Sequence, residues 1–150
     1  MIVRVDALGI WTGEAPSPGG APDLRLLVAE VVGGFYGQAA LGRWWLPCRT
    51  LGDGEAPAEV AVRALKEQLG LDLEAPVIVG ARPQRLGESW HLGLVVAGAL
   101  SGAPSETTAP PVTGFSLRVM AGLPDQIGPW HRDDLAVLAE RYRRLAAATD

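Results

Sequence analysis

The chain has 150 residues, of which 48% are hydrophobic and 20% charged, and these values are typical of one globular domain spanning residues 1–150. Its formal net charge of -4 argues against a general duplex-binding surface, which needs clustered Lys and Arg, so we expect no nucleic-acid partner. The single cysteine, Cys48, excludes an intrachain disulfide and a zinc site built on several thiolates, and it favours a reducing cytoplasm.

Six segments rich in aliphatic or aromatic residues, separated by Pro- and Gly-rich stretches, predict β-strands along the chain. They comprise residues 2–11, 24–32, 44–46, 76–81, 89–100 and 114–120. Long loops are predicted at residues 12–23 and 101–111, and a turn at residues 82–87. The longest apolar run, residues 92–100, is far shorter than the roughly 20 residues of a membrane helix, so we expect no membrane-spanning segment.

Two segments have the periodicity of amphipathic helices. Residues 57–69 begin with a proline, end before Gly70, and place five apolar side chains on one face: Ala58, Ala61, Val62, Leu65 and Leu69. Residues 131–147 place four on one side: Leu135, Leu138, Tyr142 and Leu145. Together the elements predict an α/β (α+β) fold in which a mixed sheet is flanked by at least two helices.

The stretch from Trp44 to Leu71, WWLPCRTLGDGEAPAEVAVRALKEQLGL, contains a specific motif. It resembles the signature of the Nudix hydrolases: Gly, five residues, Glu, seven residues, then Arg-Glu-U-x-Glu-Glu-x-Gly-U, where U is aliphatic. Six signature positions are kept, namely Glu55, Arg63, Leu65, Glu67, Gly70 and Leu71. Three depart, with Arg49 for Gly, Ala64 for the first helix Glu and Gln68 for the last. The resemblance covers essentially the whole chain and implies a Nudix-like α/β/α sandwich with a mixed β-sheet between helices.

The resemblance also implies a reaction class and a metal. Nudix hydrolases cleave a phosphoanhydride in nucleoside diphosphate derivatives, using Mg or Mn to activate water and neutralise phosphate charge. The family's catalytic and metal-ligand roles fall here on Glu67, and a metal-ligand role falls on Gln68, whose amide oxygen can still coordinate. Because Mg²⁺ is bound by several oxygens and Ala64 offers none, the sequence predicts a degenerate metal site.

Glu67 also has an interpretation without catalysis. It lies four residues after Arg63, and Glu59 lies four residues before Arg63, so the three side chains are expected to form an ion-pair ladder on an exposed helix face. Beside them, Val60 and Ala64 extend the apolar face of the helix over the side where a metal would bind. The sequence leaves both roles of Glu67 open.

The scaffold positions of the motif hold the loop and the helix together in the family. The resemblance assigns this structural role to Glu55, Arg63, Leu65, Gly70 and Leu71. We expect Glu55 and Arg63 to form a buried or half-buried pair.

Two residues near the motif are candidates for ligand binding. Arg49 could supply positive charge to a phosphate in place of a metal, or be an ordinary solvated loop arginine. Trp44 could stack on a base or ring, while one residue of the Trp44–Trp45 pair packs in the core.

Two further side chains near the motif carry chemistry only under added conditions. Cys48 acts as a nucleophile only beside a base such as His91 or His131, and is otherwise an inert buried thiol. Glu106 lies in a long loop of the kind from which the family recruits another carboxylate, or is simply a solvated loop residue.

The sequence leaves three functions open. The first is a ligand-binding or regulatory module for a nucleotide-like small molecule, with weak or lost hydrolase activity and no required metal. The alternative is an active hydrolase of nucleoside diphosphate derivatives with a weakened Mg or Mn site. The third is an unrelated α+β protein that binds small apolar molecules. A homodimer is compatible with each of them.

Overall fold

The computed structural model describes residues 1–16, 22–31, 42–102, 108–109 and 112–148. The strands within these residues are β1 Ile2–Pro16, β2 Pro22–Val31, β3 Trp44–Trp45, β4 Cys48–Thr50, β5 Asp72–Leu86, β6 Ser89–Ser101, β7 Val112–Val119, β8 Gln126–Ile127 and β9 Trp130–His131. The α-helices are α1, Pro57–Leu69, and α2, Arg132–Ala148, and a 3₁₀ turn covers Met120–Gly122.

Seven of the strands form one mixed sheet, as predicted. Its order is β3-β2-β1-β6-β5, with β4 paired to β1 and β7 paired to β2. Strand β1 is antiparallel to β2 and β4 but parallel to β6, where Ile2 lies opposite His91. Strands β8 and β9 form a separate two-stranded ribbon.

The two helices cover opposite faces of the sheet because side chains alternate along each strand. On β1, Val5 and Ala7 join the apolar cluster that contains α1, whereas Leu8 and Ile10 join the cluster that contains α2. The predicted α/β/α sandwich is therefore confirmed. Neither helix in the described ranges is long and apolar enough to cross a membrane.

Helix α1 has the predicted bounds. Pro57 begins it, and Gly70 ends it in the left-handed conformation at φ 73°, with its N–H donating to the Lys66 carbonyl at 2.9 Å. The buried face is broader than the predicted stripe, because Ala58 and Val62 are only half-buried while other positions are covered. Its buried residues are Val60, Ala61, Ala64, Leu65, Gln68 and Leu69.

Four sequence predictions about the remaining elements are wrong. The long loop predicted at residues 12–23 is mostly strand, because β1 continues to Pro16 and β2 begins at Pro22. Residues 82–87 do not form a turn, because β5 pairs with β6 as far as Leu86 opposite Ser89 and only Gly87 and Glu88 reverse the chain. Strand β5 lies at the sheet edge, where Pro83 needs no ladder partner for an N–H. Cys48–Thr50 form strand β4 where the sequence predicts loop, and Leu145, predicted on the buried side of α2, is 43% exposed.

A buried polar cluster lies on the α2 side of the sheet, and the sequence did not predict it. Arg4, on β1, donates from Nε and Nη2 to the two carboxylate oxygens of Asp6 at 2.7 and 2.8 Å. Its guanidinium also contacts Gln84 Oε1 at 2.5 Å and His91 Nδ1 at 3.1 Å, and Trp130 Nε1 donates to Asp6 at 2.7 Å. These five side chains, the polar cluster, join β1, β5, β6 and β9 through hydrogen bonds that are shielded from water.

Candidate functional site

The loop between β4 and α1 is closed by Glu55. Its Oε1 accepts the Gly52 backbone N–H at 2.7 Å, and its Oε2 accepts Arg63 Nη2 in an ion pair. The hydrogen bond from Arg63 holds the pKa of Glu55 below its usual value, and the Gly52 N–H lowers it further. The same contact raises the pKa of Arg63. The expected pair is present at the surface, with Glu55 half-buried and Arg63 exposed.

The second charged contact ties β4 to the helix. Arg49 Nη2 donates to Glu67 Oε2, with the two side chains 40% and 46% exposed. Within the described residues the predicted ladder does not form, because Arg63 pairs with Glu55 and Glu67 pairs with Arg49. Glu59 and Glu67 act on Arg63 only through longer-range attraction.

The other two helix positions of the motif point away from solvent. Ala64 is fully buried, and Gln68 is 5% exposed. Gln68 Nε2 donates to the Cys48 carbonyl at 3.1 Å, so the amide also joins α1 to β4. Gln68 Oε1 is buried and has no hydrogen-bond partner within the described residues.

The side chains at these helix positions do not supply the oxygen ligands of the divalent cation that the resemblance implies. The described ranges, which omit residues 103–107, contain no group of three or more His, Cys, Asp or Glu side chains able to hold a metal. Glu67 is already occupied by Arg49, and Ala64 offers no oxygen. At the three helix positions, the amide oxygen of Gln68 is the one side-chain oxygen left to coordinate a metal. Mg²⁺ needs a near-octahedral shell of oxygen ligands, and a single oxygen does not provide it.

Trp44 is on the other side of the sheet from this contact region. Its ring packs against the apolar cluster of α2 and lies under two guanidinium groups, Arg118 at 4.6 Å and Arg43 at 5.6 Å from the ring centroid. Trp45 is the member of the pair that packs in the core, at 1% exposure. The structure therefore does not bring Trp44 together with Arg49 and Glu67.

The remaining candidates separate from one another. Cys48 is buried, and its carbonyl accepts a hydrogen bond from Gln68. His91 belongs to the polar cluster, and His131 is exposed, where its Nδ1 accepts the Asp133 N–H at 3.2 Å and so begins α2. Glu106 lies outside the described residues.

A concave pocket, the aromatic pocket, is found beyond the C-terminal end of α1. Its volume is about 320 Å³, and its walls are mainly apolar. They are formed by Trp11, Leu71, Leu100, Phe115 and Leu117, with Ser101 as a polar member. A pocket of this size and lining suits a flat organic ring.

Comparison with solved structures identifies the fold. A NUDIX domain of Shewanella oneidensis NrtR, solved with ADP ribose, matches with a TM-score of 0.69 and 17% identity, over 97% of this chain and 88% of the other. A MutT protein from Methanosarcina mazei Go1 matches with a TM-score of 0.68 and 18% identity, over 94% of each chain. The chain has a Nudix fold. An ADP-ribose pyrophosphatase from Streptococcus suis 89-1591 matches with a TM-score of 0.64 and 18% identity, over 95% of this chain and 92% of the other.

Searches with the sequence itself give no match to a family model or to a curated protein. The Nudix fold excludes the unrelated α+β fold that the third function assumes.

Two features of the site escaped sequence reasoning. The Gln68 amide bond to Cys48 was missed although Gln68 lies on the same helix face as Ala61, Ala64 and Leu65, so the wheel marks it as buried. The aromatic pocket is not predicted because its residues come from three strands, β1, β6 and β7, and from the segment after α1, and no local pattern links them.

Proposed function

We propose that this chain is a binding module for a nucleoside diphosphate derivative whose pyrophosphohydrolase activity is weak or lost. The observation that carries the proposal is the burial of Ala64, where the resemblance expects a metal-binding carboxylate. Metal activation of water depends on the number and geometry of the ligands, and one glutamate that is already paired with Arg49 is a poor set.

The ligand would lie between the aromatic pocket and the place where Arg49 on β4 meets Glu67 on α1. In this proposal the aromatic pocket takes the organic ring and Arg49 meets the phosphates. Trp44, the other ligand-binding candidate, is the weaker part of the proposal because its ring is already stacked against Arg118 and Arg43. ADP-ribose is the natural first probe, since the similar Shewanella domain was solved with it.

The alternative is an active metal-dependent hydrolase. Its support is Gln68 Oε1, which follows Glu67 in the sequence, is buried, and has no hydrogen-bond partner among the residues that the structure describes; a Mg or Mn ion could use this oxygen. Glu67 would then be the catalytic residue, and Glu67 and Gln68 the metal ligands.

One assay separates the two functions. Cleavage of ADP-ribose and related nucleoside diphosphate derivatives is measured with Mg or Mn by separating the products, and binding is measured by calorimetry. Glu67→Gln is compared with Glu59→Gln, which removes an exposed glutamate from the same helix. The binding module predicts saturable binding with little turnover in every form.

Turnover that is lost in Glu67→Gln and kept in Glu59→Gln would establish the active hydrolase instead. A chain that neither binds nor cleaves any member of the panel would contradict both functions.

The proposal also includes a cellular location and an oligomeric state. A cytoplasmic location rests on the single cysteine, and a homodimer rests on the resemblance. Light scattering of the purified chain tests the homodimer directly.

A further inference from the structure

Two N–H donors join β4 to α1 at neighbouring positions. Arg49 donates to the Glu67 carboxylate, and Gln68 Nε2 donates to the Cys48 carbonyl at 3.1 Å. Residues 48 and 49 are adjacent on the strand, and residues 67 and 68 are adjacent on the helix. The Glu67 carboxylate on α1 and the Cys48 carbonyl on β4 therefore each accept a hydrogen bond from the other element.

A divalent cation would contact the same kinds of oxygen, namely a carboxylate and a carbonyl. Here the Arg49 guanidinium brings a positive charge to the Glu67 carboxylate, and the Gln68 amide N–H brings its partial positive charge to the Cys48 carbonyl. We propose that Arg49 and Gln68 are a built-in substitute for the divalent cation, and that the site binds a diphosphate through Arg49 without a metal. That the ligand is a diphosphate rests on the proposed function, whereas the replacement of the cation by Arg49 and Gln68 does not.

Arg49 has donors left for a phosphate. Its side chain is 40% exposed, and within the described part of the chain its hydrogen bond is the one from Nη2 to Glu67. Glu55 is held by Arg63 and by the Gly52 N–H, so Glu67 is the carboxylate that competes with a ligand for Arg49. A forked guanidinium of this kind can engage a phosphate with two parallel N–H groups.

The competition gives an unusual expectation for Glu67. In a metal site, Glu67→Gln weakens phosphate binding because it removes a ligand of the bridging ion. In the proposed site the same change frees Arg49, so metal-free binding should tighten by about twofold to fivefold, the range of an exposed ion pair.

The first experiment measures binding of ADP-ribose and of inorganic pyrophosphate by calorimetry, in EDTA and in Mg²⁺. The wild type should bind equally in both buffers, Arg49→Gln should bind about 10- to 100-fold more weakly, and Glu67→Gln should bind more tightly. The matched control is Arg143→Gln, which removes an exposed arginine that pairs with Glu140 on α2, and it should bind as the wild type does.

The outcomes separate this inference from the proposed function. No binding of either probe in either buffer contradicts the proposed function. Binding that needs Mg²⁺, or that weakens in Glu67→Gln, overturns the metal-free site while leaving nucleotide binding intact. Binding that is unchanged in Arg49→Gln also overturns it.

The second experiment tests the cation substitution without any ligand. In Gln68→Glu the new carboxylate faces the Cys48 carbonyl, so two acceptors meet where one N–H lay. Thermal unfolding should show a lower Tm in EDTA, and Mg²⁺ or Mn²⁺ should raise the Tm of this variant because the ion can bridge the two oxygens. The wild-type Tm should not respond to either ion.

Gln126→Glu is the matched control, because Gln126 Nε2 also donates to a backbone carbonyl, that of Gly128 at 2.6 Å, but within the two-stranded ribbon. Its Tm should fall without any recovery in Mg²⁺ or Mn²⁺. A wild type stabilised by the ions, or a Gln68→Glu variant that fails to recover, would overturn the substitution.

Discussion

Ala64 is the residue at which this chain departs most from the chemistry of the Nudix signature. The sequence reveals the substitution, but only the structure places the side chain at 0% exposure on the sheet side of α1. A carboxylate at this position would have to leave water, which is costly for a charge that gains no partner. The departure therefore cannot be reversed by one change of side chain.

Ala64→Glu should lower the free energy of unfolding by about 3 kcal/mol, because it buries an unpaired charge. Urea unfolding measures the loss, and Ala147→Glu, at an exposed position of α2, should change stability by less than about 0.5 kcal/mol. Full stability of Ala64→Glu in EDTA would show that the position opens readily to water, contrary to this account.

Gly93 is a second residue whose identity follows from its surroundings, because the polar cluster leaves no room for a side chain there. A Cβ built on it would lie 2.7 Å from Gln84 Oε1 and 2.8 Å from Arg4 Nη2. The sequence offers no reason for this glycine, because its neighbours approach it from two other strands.

Gly93→Ala should cost about 1–3 kcal/mol of unfolding free energy, since buried hydrogen-bonded groups must move to admit the methyl group. The control is Gly114→Ala, whose Cβ would lie no closer than 3.8 Å to any described neighbour outside the adjacent residues. Equal stability of the two variants in urea would contradict the close packing around Gly93.

At the level of elements, the helix was easier to predict than the strands. Pro57, Gly70 and the apolar spacing between them encode α1 locally, so its bounds follow from the sequence. Strands β4 and β5 depend on partners instead: β4 is held by β1, and the end of β5 is held by Ser89 across a two-residue turn. Such pairing energy comes from distant residues, which no local pattern records.

The polar cluster gives the strands a pH response. Arg4 can only donate, so His91 accepts through Nδ1 and is neutral in the fold. Burial lowers the pKa of His91 from its ordinary value of 6.5, Arg4 and the N-terminal amine lower it further, and Asp6 opposes them. Because the unfolded chain takes up the proton first, the contribution of His91 to stability is complete above about pH 6.5 and is lost as the pH falls below that value.

Urea unfolding between pH 7.5 and 5.5 should show this loss, at up to about 1.4 kcal/mol per pH unit below pH 6.5. His91→Gln should remove that part of the slope, while His131→Gln should keep it, because the exposed His131 lies outside the cluster. A wild type and a His91→Gln variant with the same pH dependence would sink this prediction.

For the whole molecule, the alternating apolar strands and two amphipathic helices were enough to predict the sandwich, and the motif around Arg63 indicated its Nudix fold. The solved structures share only 17–18% of their residues with this chain, yet they match over nearly its whole length. A fold is specified by patterns that many residues satisfy. The chemistry of the site depends on single side chains such as Ala64, Gln68 and Arg49, whose contacts are made only by the folded chain.

The parallel pairing of β1 with β6 also has a consequence for how the chain reaches this structure. The partners, from Ile2 opposite His91 to Ile10 opposite Ala99, are roughly 90 residues apart, so they meet only after a large loop has closed. Until then Arg4 and Asp6 remain hydrated, and their desolvation falls late on the folding path, together with the arrival of Trp130. Pairing of these two central strands is therefore expected to be a slow step of folding.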